Sequence, residues 1–117
     1  LGSASYAFPH PLLATKHLEE PMRLLFIICE ASVDPRVTQI LGRAGAPGYT
    51  RFTGATGSGK RGIRDGTPIW PGLNSLILAC MPDDMVPQVL AELEALSAER
   101  SHRLALKVFS VPAEEYL

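Results

Sequence analysis

The sequence predicts an α+β fold, a ferredoxin-like βαββαβ two-layer sandwich. Three observations lead there. A short continuous apolar run stands at Leu24–Cys29, two amphipathic helical segments each carry a proline in the first turn, and the extended segments fall in the order strand, helix, strand, strand, helix, strand. With 117 residues, 46% of them hydrophobic, the chain has material for one modest core and little for a second.

The run Leu24–Cys29 is apolar on both alternating faces, which predicts a first strand covered on both sides. Ser32–Pro35 follows, offering Asp34 as a helix cap and Pro35 at the first helical position, where a missing N–H costs nothing. Val37, Ile40, Leu41 and Ala44 then share one helical face, and Gly45 is placed to end the helix in a left-handed conformation. Aromatic and β-branched residues at 49–56 predict a second strand running into a long glycine- and proline-containing loop over 57–72. Leu73–Met81 is the third strand. Pro82, Asp83 and Asp84 start a second helix, with Val86, Val89, Leu90, Leu93 and Leu96 on its apolar face and Pro87 in its first turn. Leu104–Val111 is the fourth strand, which Pro112 is expected to stop.

Two helices cover one face of a four-stranded sheet, yet the first strand is apolar on both faces. Leaving the second face wet forgoes roughly 1.5 to 3 kcal/mol for each large side chain. A homo-oligomer that stacks sheets is the expected answer, and the rival is coverage by the N-terminal arm. Residues 1–21 accordingly read either as a dispensable extension, with Met22 as the natural start, or as an ordered arm whose Tyr6, Phe8, Leu12 and Leu13 dock on the body.

Eleven basic residues against twelve acidic ones give a formal charge of -1, which denies the chain the broad cationic surface that nucleic acid requires. No apolar run approaches the roughly 18 to 20 residues of a bilayer crossing, so no direct membrane insertion is expected. Cys29 and Cys80 lie inside apolar runs without CxxC spacing, which points to a reducing, cytoplasmic setting. Their similar positions, late in the first and third strands, let them approach one another. They read as buried small hydrophobes, with a redox or metal site or a disulfide as alternatives.

Gly54–Arg61 matches the phosphate-loop spacing GxxxxGK, but Arg61 stands where the metal-ligating hydroxyl belongs and no helix is predicted to follow. The same stretch makes better sense as part of a binding loop. Lys60, Arg61 and Arg64 face the single acid Asp65 on a connection far longer than a hairpin turn, and ordering it costs roughly 1 to 2 kcal/mol of backbone entropy per residue. An anion or a protein partner that supplied this cost would couple its own binding to the loop's order. Trp70 returns the loop to the third strand, as a core anchor, an intersubunit contact or a ligand contact. His102 has no nucleophile or acid at a diagnostic spacing, so no catalytic residue is assigned, and no metal-ligating set is complete.

Taken in order, Met22–Cys29, the segment Tyr49–Gly57 with its Thr53-Gly54-Ala55-Thr56, and Pro82–Pro87 resemble the P-II-like nitrogen-regulatory proteins, and Val108–Pro112 is similar to that family's last core strand. The similarity runs from residue 22 to 113, and residues 22–117 are taken as the domain. What it implies is a trimer, with small effectors in clefts between subunits and the loop after the second strand docking on an enzyme or a membrane transporter. Carried over by position, Gly57, Lys60 and Arg61 form the basic stem of the effector site and residues 57–71 the partner loop, including Arg64, Asp65 and Trp70. The best-known members bind adenine nucleotide and 2-oxoglutarate, and a glycine-rich link before the fourth strand helps hold the phosphates. Here that link is Ser97–Arg103, without glycine, leaving Arg100 and Arg103 as its anion-binding residues. The loop also lacks the tyrosine that is nucleotidylylated in that family. The resemblance thus implies a divergent, non-enzymatic P-II-like sensor of a small anionic effector whose cofactor is unassigned. A trimeric divalent-metal-binding or cation-tolerance protein of similar fold is the alternative.

Overall fold

A computed structural model describes residues 21–57, 73–99 and 106–117. Strand β1 (Met22–Glu30) leads through a short turn of 3-10 helix into helix α1 (Asp34–Ala44), followed by β2 (Thr50–Ala55), β3 (Asn74–Pro82), α2 (Val86–Ala98) and β4 (Leu106–Ala113). The four strands form one antiparallel sheet in the order β2-β3-β1-β4. The predicted βαββαβ sandwich is the observed fold.

Side-chain alternation divides the sheet into two faces. On one, Leu25, Ile27 and Cys29 of β1 and Ile77, Ala79 and Met81 of β3 are buried under Val37, Ile40 and Leu41 of α1 and Val89, Leu93 and Leu96 of α2. Leu90, predicted on that helical face, is instead 40% exposed, one position off the row that meets the sheet. Helix α1 ends as predicted. Gly45 takes φ 85, its N–H bonding back to Gly42 while that of Ala46 reaches Leu41, so two terminal carbonyls are satisfied in the left-handed turn.

Three local expectations need correction. Asp34 does not cap α1: it is the first helical residue, no side-chain cap bond is made, and its backbone N–H continues the 3-10 turn to the Ala31 carbonyl. Pro112 does not stop the last strand, which continues to Ala113. Because β4 is an edge strand, alternate N–H positions point away from the ladder, and a proline there removes no sheet bond. Cys29 and Cys80 do not approach one another. Cys29 is opposite Ser75, and Cys80 opposite Leu24, so the two lie at opposite ends of an antiparallel pair and on opposite faces. Five residues of strand separate them, about 17 Å, against the roughly 7 Å limit for a disulfide.

The other face of the sheet carries Leu24, Phe26, Ile28, Leu76, Leu78, Cys80, Phe52, Phe109 and Val111, and no described helix lies over it. Phe52 is 50% and Phe109 59% exposed.

Candidate functional site

The register gathers six chain ends at one edge of the sandwich. Cys29 pairs with both Ser75 and Leu106, Ala55 pairs with Asn74, and the Ala31 N–H donates to the Leu73 carbonyl at 2.7 Å. The end of β1, the start of α1, the end of β2 and the starts of β3 and β4 therefore meet here. Helix α2 finishes at the same place, where Arg36 in the first turn of α1 donates to the Glu99 carboxylate at 2.9 Å. Both partners are half exposed, so the pair contributes at most about 1 kcal/mol, but it fixes where the chain leaves α2.

Both cationic connections start and finish at this end. The segment carrying Lys60, Arg61, Arg64, Asp65 and Trp70 joins Gly57 to Leu73, and the one carrying Arg100 and Arg103 joins Glu99 to Leu106. Those seven side chains lie outside the described residues, as do residues 1–20, so of the sequence-predicted site only Gly57 is placed, exposed just beyond β2. Sequence reasoning missed one cation that the register puts beside them. Lys107, opposite Ile28 in β4, is exposed on the helix-free face at this same end, with no ion pair among the described residues. The signal was available in the alternation of Leu106 and Val108, which turn toward the helices and send Lys107 the other way.

Below the surface of this end is a buried polar cluster, also unread in the sequence. Asp34 is 4% and Ser75 0% exposed. The Ser75 hydroxyl donates to Asp34 Oδ2 at 2.6 Å, and the Arg51 guanidinium donates to Oδ1 at 3.1 Å. A carboxylate so buried is stable only with such partners. Arg51 reaches it because alternation places residue 51, opposite Ile77, on the helix-covered face at the sheet's edge. Cys29 adjoins this cluster. Burial first, then the negative charges of Asp34 and Glu30, push its thiol up to about 12, so it stays protonated and is a poor nucleophile or metal ligand. Burial, with Glu115 nearby, also raises the Cys80 thiol.

Between β2 and the long connection the ladder slips. Thr53 faces Ser75 and Ala55 faces Asn74, leaving Gly54 as an extra residue at φ 75. The first glycine of the GxxxxGK match is thus a strand bulge, not the first turn of a phosphate-binding loop. A depression of about 460 Å³ lies at the other end of the sheet, lined by Pro21, Arg23, Asp83, Pro112 and Glu114 among others.

A family model described as nitrogen regulatory protein P-II matches residues 22–116. The chain belongs to the P-II family. Among solved structures, a PII-like signaling protein from Thermus thermophilus is 26% identical, with TM-score 0.59, over 80% of this chain and 88% of the other. CPII from Thiomonas intermedia K12, bound to ADP and bicarbonate, is 25% identical with TM-score 0.61, covering 81% of this chain and 90% of its own. The ATP complex of GlnK from B. subtilis, at 17% identity and TM-score 0.55 over 80% and 84% of the two chains, shares the fold. No curated protein matches. The match to the P-II family agrees with the resemblance read from Met22–Cys29, Tyr49–Gly57 and Pro82–Pro87. The metal-handling alternative gains no support: among the described residues no three His, Cys, Asp or Glu side chains gather at one point. No described helix is long and apolar enough to cross a membrane.

Proposed function

We propose that this P-II family member is a non-enzymatic, cytoplasmic regulator. It assembles as a homotrimer through the helix-free sheet face, binds an adenine nucleotide with a small anion in the clefts between subunits, and presents residues 57–71 to an enzyme or a membrane transporter. The observation that carries this reading is the convergence of both cationic connections at one end of the sandwich, beside Lys107 on the open face. A neighbouring copy against the open face would turn that end into a cleft lined by both connections.

In this reading Gly57, Lys60 and Arg61 hold the effector from one side, and Arg100, Arg103 and Lys107 from the other. Arg100 and Arg103 would substitute side-chain charge for the backbone cradle that a glycine-rich link provides elsewhere in the family. Two arginine side chains hold a phosphate largely through their charge, which salt screens. Nucleotide binding should therefore be salt-sensitive. Arg64, Asp65 and Trp70 are left for the partner, whose affinity would change with the effector and change the effector's affinity in return. The ADP and bicarbonate bound to CPII support this choice of ligands.

Calorimetry with ADP, with and without bicarbonate, tests the reading, alongside light scattering to give the mass in solution. Trimer mass and saturable ADP binding that is lost in the Lys60→Gln/Arg61→Gln and Arg100→Gln/Arg103→Gln pairs are expected. A monomer, or binding indifferent to both pairs, would remove the proposal.

A further inference from the structure

One carboxylate bonds both strands that flank the long connection. Asp34, at the start of α1, accepts from Arg51 on β2, the strand that enters residues 58–72, and from Ser75 on β3, the strand that leaves them. We propose that Arg51, Asp34 and Ser75 form a latch that fixes the register in which β2 and β3 flank the long connection, making them positioning residues for the effector site. The inference rests on the effector reading above, because it assigns a role toward that site to side chains that do not contact the ligand.

The geometry suits the task. Strand β2 is the sheet's edge, every residue from Thr50 to Gly54 is exposed, and one neighbour, β3, supplies its ladder. Three residues after Arg51 the bulge at Gly54 interrupts that ladder, and an interrupted edge strand has two ways to pair. The Arg51 bond selects one by fastening β2 to the helix layer just before the slip. Ser75, opposite Thr53, fastens β3 at the same level. The three partners are unequally replaceable. Asp34 and Ser75 are buried and bonded to each other, whereas the Arg51 side chain is 44% exposed and able to trade Asp34 for water. Release of Arg51 therefore frees the entry to the connection and leaves the buried Asp34–Ser75 bond intact.

Arg51→Gln is the decisive variant, since it breaks the latch at its half-exposed member and leaves the core unaltered. Backbone hydrogen exchange of the ligand-free protein and ADP titration are measured together. The expected result is exchange at Ala55–Gly57 accelerated about fivefold or more, and ADP affinity reduced by a similar factor, with protection unchanged in β1 and β3 and both effects largely restored by Arg51→Lys. Ser75→Ala should act in the same direction. Unchanged exchange at Ala55–Gly57, or acceleration spread evenly over the whole sheet, would overturn the latch. Should the wild type fail to bind ADP, the effector reading fails, and exchange alone still decides whether the latch governs the connection.

Discussion

At the level of single residues, the Asp34 cluster and Cys29 carry the sharpest expectations. The cluster's stability should rank by burial. Asp34→Asn leaves a buried hydroxyl with an altered partner and Arg51 without its counter-charge, and should cost about 2 to 3 kcal/mol. Ser75→Ala removes one charge-assisted bond and should cost slightly less, whereas Arg51→Gln, half in water, should cost no more than about 1 kcal/mol. Urea denaturation of the three variants checks the order, and an Arg51 cost equal to that of Asp34 would refute it. Cys29 sets a pH dependence. Its folded thiol titrates near 12, above the unfolded value near 9, so between those values the folded state holds a proton that the unfolded state has lost. Stability is fully present below pH 9 and should fall by up to about 1.4 kcal/mol per unit as pH rises toward 12. The difference between wild type and Cys29→Ala isolates this slope from that of other groups, and identical alkaline slopes in the two proteins would contradict it. The sequence could not show this charge environment. Asp34 reads as an ordinary helix cap, and only the pairing of Arg51 with Ile77 reveals that an arginine on a half-polar strand turns toward a buried acid.

At the level of elements, periodicity carried most of the information. The doubly apolar run at Leu24–Cys29, the proline-started helices and Gly45 each had one sensible structural meaning, and the elements formed where those signals stood. Errors arose where an element's neighbours decide the outcome. Pro112 ends a central strand but not an edge strand, and the strand order is not written in local sequence. Likewise, Cys29 and Cys80 look equivalent until the antiparallel register sets them at opposite ends. The bulge at Gly54 was hidden for the same reason, since it exists only relative to β3. It makes a contrast between neighbouring glycines. Neither Gly54 nor Gly57 has an atom within 4 Å of an added Cβ, but only Gly54 has φ 75. Gly54→Ala should therefore cost about 1 to 2 kcal/mol through backbone conformation alone, and Gly57→Ala almost nothing. Thermal or urea unfolding distinguishes them, and equal costs would place the left-handed bulge in error.

At the level of the whole molecule, the open sheet face decides whether the site has a second wall. Its centre is a row running Thr50, Leu78, Phe26, Phe109 across all four strands, with Leu76 and Ile28 on one side and Cys80, Leu24 and Val111 on the other. The apolar area is contiguous, and the helices are fully occupied on the opposite face, so another chain is the natural cover. The two cysteines make a built-in reporter. Cys29 is buried under the helices, while Cys80 stands half-buried on the open face and would be sealed by association. Phe109, 59% exposed at the edge strand, contributes nothing to the helix-side core, so Phe109→Lys should leave the subunit folded while placing a charge in the interface. The expected outcome is a shift to lower mass by light scattering, retained secondary structure by circular dichroism, and a Cys80 thiol that reacts with an aromatic disulfide reagent at least about tenfold faster than in wild type. ADP binding should be lost in the same variant, because the proposed cleft needs two subunits although Phe109 lies away from the cationic end. Wild-type Cys80 already reacting at the rate of the variant would show the face to be open in solution, and the shared cleft would go with it.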